Sequence, residues 1–261
     1  MRIDLHNHTT RCNHATGSME DYIKKAIDLK IDIFGFSDHA PMNFDKEYRM
    51  SLEQSYQYEK EVLTLKDKYK NDIEILLAYE VDYMSNNQYI EEKILNSNVD
   101  YLIGSVHFLD TWGFDNPEYL KEYENKNIDD IWINYFNTIE EMAKTNYFNI
   151  VGHLDLIKVF KFLPKKDIKS IAYKALKQIK KSNMTIEVNS AGLRKPIKEQ
   201  YPSRSLLELA YELDIDITFS SDAHSIEQIG FGYENNIRIA KSIGFKNCVS
   251  YIKKEKIYHK L

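Results

Sequence analysis

Apolar residues along this chain alternate between two kinds of run. Short runs of strand type cover residues 3–5, 33–37, 73–79, 99–106, 148–152, 184–188 and 215–219. Between them, apolar positions recur at helical spacing. After Ser18, which opens a capping-box pattern, Met19, Tyr22, Ile23, Ala26 and Ile27 mark one helical face. Further helices are predicted over 51–69, 128–142, 168–179, 206–213 and 235–243, with a short one over 87–95. A strand-like tail covers 248–252. Residues 108–127 break the rhythm with aromatics, Asp, Asn, Gly113 and Pro117. A long irregular connection inside a compact domain is more often functional than accidental.

Strands separated by helices imply a parallel sheet, because parallel neighbours need crossover connections. Seven β/α units within 261 residues predict one domain over 1–261, closed into a distorted TIM-like (β/α)7 barrel of the α/β class. A doubly wound open sheet is the alternative. It would not gather seven strand ends around one point.

The chemistry concentrates at those ends. His6 and His8 close the first run, and residues two apart in a strand share a side. His14 follows after a short loop, then His39, Glu80, His107, His153, Asp222 and His224, so that nearly every histidine lies at or just past a strand end. Seven of the eight histidines belong to this set; His259 is the exception. Taken singly, each could cap a helix or make a core hydrogen bond. Taken together, they are explained by convergence on metal ions. Imidazole and carboxylate suit Zn²⁺, Fe²⁺ or Mn²⁺, and a carboxylate can bridge two ions. Nine ligands exceed what two ions with open positions need, so three divalent ions are expected. With Glu80, Asp222 and one hydroxide, the formal charge of such a centre is roughly +3, which attracts a phosphate dianion.

Composition narrows the partners. A net charge of −5 without a basic stripe argues against nucleic acid and anionic membrane surfaces. Cys12 and Cys248 lie at opposite ends of the chain and give no disulfide framework, which fits a reducing cytoplasm. Cys12, between His8 and His14, reads as an incidental thiol. His6 and His8 interrupt the first apolar run, so no secretory signal is read, and no run approaches the ~20 residues of a membrane span.

The order H-x-H, a third His, D-H, Glu after the third strand, His, G-H and D-x-H resembles the polymerase and histidinol phosphatase (PHP) family along the whole chain. The resemblance implies a distorted seven-stranded barrel and a trinuclear site. By position, His6, His8, Glu80 and Asp222 would hold one ion. Glu80, His107 and His153 would hold a second, and His14, His39 and His224 a third. Residues 37–41, 104–108, 152–158 and 187–196 are most similar to the monofunctional histidinol-phosphate phosphatases of histidine biosynthesis. This implies hydrolysis of L-histidinol phosphate, with Lys158 and Arg194 contacting the phosphate. Phe108, Trp112 and Phe114 are then offered for stacking on the substrate imidazole, and Asp110 and Asp115 for its amine. A PHP phosphoesterase of another small phosphate ester or nucleotide is the alternative. A non-catalytic regulator would be expected to lack a ligand, and an amidohydrolase to carry Lys near the position of Glu80.

Overall fold

The computed structural model describes residues 1–85 and 89–261. Among them, seven parallel strands form one sheet: β1 (Ile3–Asp4), β2 (Ile33–Phe36), β3 (Glu74–Asp82), β4 (Tyr101–Ser105), β7 (Ile150–Val151), β8 (Thr185–Asn189) and β9 (Ile217–Ser220), in that order. The last strand returns to the first. Leu5 N donates to Phe219 O at 3.0 Å and His8 N to Ala223 O at 2.9 Å, which closes the barrel. Helices α1 (Met19–Asp28), α2 (Leu52–Lys68), α4 (Ile128–Lys144), α5 (Ile168–Lys181), α6 (Arg204–Glu212) and α7 (Tyr233–Ile243) alternate with the strands.

Local sequence sets these elements. The Ser18 hydroxyl caps α1 by accepting from Asp21 N, and Ser51 with Gln54 forms a full capping box on α2. On α5 the predicted face is the buried one: Leu176 and Ile179 are fully covered, each contributing about 1.5–3 kcal/mol of transfer free energy. Period two on β3 puts Leu76 and Ala78 on the same face as Glu80 and Asp82. The two apolar residues join Ile3, Leu5, Ile103 and Tyr251 in one cluster, while the two acids lie at the C-terminal end. The Tyr101 hydroxyl donates to Leu5 O across the barrel, in a space that admits no side chain at position 35. A Cβ on Gly35 would lie 1.8 Å from that hydroxyl.

Three expectations are adjusted. The stretch 108–127 is more ordered than its composition suggests. It forms a hairpin of β5 (Phe108–Leu109) and β6 (Trp112–Gly113), then a 3-10 segment, Pro117–Tyr123, capped by Asn116. The short helix predicted from Asn87 is α3 (Glu92–Leu95), and Asn87 lies outside the described residues. The strand-like tail is half of a hairpin, β10 (Asn247–Ile252) with β11 (Glu255–Lys260). Its turn ties onto the N-terminal end of β4, where Lys254 N donates to Asp100 O at 2.7 Å. That end of the barrel is therefore covered, and the opposite end carries the polar cavity.

Candidate metal centre

Glu80, fully buried, is the hub. Its Oε2 lies 2.9 Å from His39 Nδ1, 3.4 Å from His6 Nε2 and 3.6 Å from His8 Nε2. Its Oε1 lies 3.0 Å from His153 Nε2 and 3.8 Å from His107 Nε2. Asp222 reaches His8 Nε2 at 3.3 Å and His224 Nδ1 at 3.5 Å. Of the nine expected ligands, His14 is the most exposed. Its ring centre is 4.7 Å from that of His224 and 5.5 Å from that of His39.

The donor set fits divalent cations. His6 directs Nδ1 at Glu187, 3.0 Å away, and His8 directs Nδ1 at Asp38, 3.3 Å away. Protons on those nitrogens leave lone pairs on both Nε2 atoms, which face each other at 3.1 Å. Two lone pairs so placed repel unless a cation lies between or beside them. Glu80 Oε2 and His39 Nδ1, although 2.9 Å apart, are not aligned for a hydrogen bond, and neither these atoms nor His153 Nδ1 have a hydrogen-bond partner among the described residues. Ligand atoms within reach of a single ion fall into sets. His6, His8 and Asp222 form one, and Glu80, His107 and His153 another. The expected third set is divided: His39 groups with His8 and His224, whereas His14 groups with Cys12 and His224. Cys12, read as incidental, is thus a neighbour of the centre.

Electrostatics follow the same arrangement. Burial alone would raise Glu80, yet the imidazoles of His6, His39 and His107 outweigh it and hold the carboxyl well below the usual range. Burial opposes protonation of His107, but Asp82 prevails and pushes it up to about 10. Burial dominates at His39 and brings it down to about 4.

Sequence reasoning missed the carboxylates that hold the imidazoles. Asp82 contacts His107 Nδ1. Glu187 accepts from His6, His153 N, Asn189 and Ser220. Their trace in the sequence is an acid inside an apolar strand run: Glu187 between Ile186 and Val188, and Asp82 two residues past Glu80. Partners of this kind typically account for 10–100-fold in metal affinity or activity. Glu187→Gln, which turns an amide toward four donors, is expected to weaken metal binding by about that factor. Competition with a fluorescent chelator measures it, and an unchanged affinity would remove Glu187 from the account.

A cavity of about 790 Å³ opens over the cluster, lined among others by Phe44, Phe108, Asp115, Tyr119, Arg194 and Tyr201. Arg194 anchors Nη2 on the carbonyls of Ser221 and Asp222 at 2.8 and 2.9 Å. Its buried Nη1 has no partner among the described residues. Asp115 is on the wall, its carboxyl raised by burial against the opposing pull of His107 and His153. The expected roles of four other residues are corrected. Lys158 does not line the cavity: its ammonium is taken by Asp155 at 3.0 Å, Glu199 at 2.8 Å and Gln200 O at 2.8 Å. Asp110 is exposed with φ +55 at the turn of the β5–β6 hairpin. Trp112 packs edge-on against Tyr123, and Phe114 is fully buried against Tyr135. Both aromatics support the rim from behind.

The PHP domain model matches residues 4–191. The chain belongs to the PHP family. Asp222, His224 and Arg194 fall beyond the matched stretch, yet they share the cavity with His8, His14, His39, Glu80, His107 and His153 within it. This PHP chain is 34% identical over 244 residues to a Deinococcus radiodurans protein named probable histidinol-phosphatase, covering 92% of this chain and 93% of that one. It is 27% identical over 262 residues to the histidinol-phosphatase of Bacillus subtilis, covering 88% and 96%. Its fold matches that of the Lactococcus lactis histidinol phosphate phosphatase, solved with zinc, L-histidinol and phosphate. The TM-score is 0.82 at 18% identity, over 98% of each chain. Among the described residues, no helix is long and apolar enough to cross a membrane.

Proposed function

We propose that this PHP protein is a metal-dependent phosphomonoesterase that hydrolyses L-histidinol phosphate to L-histidinol and phosphate in histidine biosynthesis. The observation that carries the reading is the Glu80-centred cluster at the floor of a cavity whose wall holds a half-buried acid, Asp115, and an Arg194 edge without a partner among the described residues. The names of its relatives support the same substrate. Three divalent ions, Zn, Fe or Mn, are the occupancy that suits nine ligands. His6, His8, Glu80 and Asp222 would hold one, Glu80, His107 and His153 a second, and His14, His39 and His224 a third. When bound, such ions supply Lewis acidity toward phosphoryl oxygens and bring the pKa of water toward about 7.

The chain's own groups do the rest. Arg194 presents Nη1 to a phosphoryl oxygen and offsets charge that develops there. Glu187, Asp38 and Asp82 fix the imidazoles so that little reorganisation accompanies the reaction. Phe108 offers an aromatic face to the substrate imidazole, and Asp115 a carboxylate to its ammonium. A cytoplasmic location accords with two free, buried cysteines, Cys12 and Cys248. A panel of small phosphate esters tests the reading. L-Histidinol phosphate is expected to give the highest kcat/KM, and preference for an ester without an amine would overturn the substrate assignment.

Asp115→Ala is expected to raise KM for L-histidinol phosphate by roughly 10–100-fold, the worth of a hydrogen bond to a charged group. A plain aryl phosphate lacks the amine and should be hydrolysed almost as before. Asp110→Ala, at the exposed turn, should change neither. Equal losses on both substrates from Asp115→Ala would assign that residue to the fold.

A further inference from the structure

With Lys158 occupied elsewhere, the phosphate subsite expected from the sequence lacks its second cation. The cavity wall supplies another. Arg49, which the sequence reading did not single out, is 4% exposed and lines the same cavity. Its Nε donates to Asp45 O at 2.9 Å, and its Nη2 donates to Asp45 Oδ2 at 3.0 Å and Asp82 Oδ2 at 2.9 Å. Three of its five N–H groups are thereby used. The remaining two, on Nη1, are buried and have no acceptor among the described residues. Leaving a buried guanidinium donor unpaired is costly, so this edge calls for a ligand atom that accepts.

We propose that Arg49 is a substrate-binding residue, the second cation of the phosphate subsite alongside Arg194, which lines the same cavity. The inference rests on the phosphomonoesterase reading above. A guanidinium only donates, so it cannot serve the substrate's ammonium, which also only donates. The acceptors of histidinol phosphate are its phosphate oxygens and one imidazole nitrogen. Anionic oxygens form the shorter and stronger bonds with guanidinium. Asp45 and Asp82 hold the other edge in place, so little side-chain freedom is lost on binding. Through Asp82 the same guanidinium is one residue removed from His107, which would hold metal. Arg49 therefore has a fixed position relative to the metal cluster.

Calorimetric titration of inorganic phosphate into Mn²⁺-loaded protein tests this, with L-histidinol titrated in parallel and bound metal counted. Arg49→Gln and Arg49→Lys are expected to weaken phosphate binding roughly tenfold or more. L-Histidinol affinity and metal content should stay at wild-type values. Arg49→Lys keeps a cation beside Asp45 and Asp82 but loses the second donor edge, so it decides the matter if Arg49→Gln fails to fold. Wild-type phosphate affinity in Arg49→Lys would overturn the proposal. So would parallel loss of phosphate, L-histidinol and metal, which would mark Arg49 as a support of the cluster alone. Failure of the wild-type protein to bind phosphate would instead strike the phosphomonoesterase reading itself.

Discussion

Glu80→Ala is expected to lower turnover of L-histidinol phosphate by at least ~10²-fold, above the usual effect of a residue that merely orients a ligand, and by more than Asp222→Ala does. The two carboxylates differ in connectivity. Glu80 faces five imidazoles, those of His6, His8, His39, His107 and His153. Asp222 faces His8 and His224 and accepts from Asn189. On the proposed ligand assignment, removing Glu80 would take a shared ligand from two metal positions and leave the imidazoles around it without the charge between them. Removing Asp222 thins one position. Steady-state rates at saturating metal, with metal content measured on the same samples, check the ranking. Near-normal turnover by Glu80→Ala would remove it from the cluster.

Stripping the metals should abolish activity and also destabilise the fold. Apart from His14, the clustered side chains are buried or half-buried, and several of their polar atoms face one another without partners among the described residues. Any ion that binds the native chain alone stabilises it, by about 2.7 kcal/mol at a hundredfold excess over its Kd. For a chain of this size each kcal/mol shifts Tm by about 2–4 °C, so loss of the three proposed ions should lower Tm by more than about 10 °C. Differential scanning calorimetry before and after chelation, then after Mn²⁺ is restored, measures this. An unchanged Tm with full loss of metal would mean that the cluster is rigid without its ions.

The cluster of imidazoles and carboxylates was legible because nearly all of them lie at or just past the end of an apolar run, and barrel topology sends every such end to one mouth. The helices were legible from their spacing and caps. The return strand Glu255–Lys260 was not, since its side chains are mostly exposed and carry no buried face to read. Lys158 and Arg49 show a second limit. Lys158 stood beside a matching motif, but Glu199, its partner, is 41 residues away and meets it only through the fold. Arg49 stood in a charged stretch and became a cavity residue because Asp82, 33 residues on, draws it inward. Asp110 and Asp115 look alike in sequence. The hairpin separates them, leaving Asp110 exposed at its turn and Asp115 half-buried on the cavity wall.

If the imidazoles and carboxylates gathered at the strand ends hold metal ions, hydrolysis of L-histidinol phosphate depends on those ions. Titrating Mn²⁺ into metal-free protein, while phosphate release from L-histidinol phosphate is followed, tests it most directly. No activity is expected without metal, and the rise should level off at three bound equivalents. Phosphate release by the metal-free protein, or a plateau at one equivalent that His14→Ala and His39→Ala leave unchanged, would contradict this.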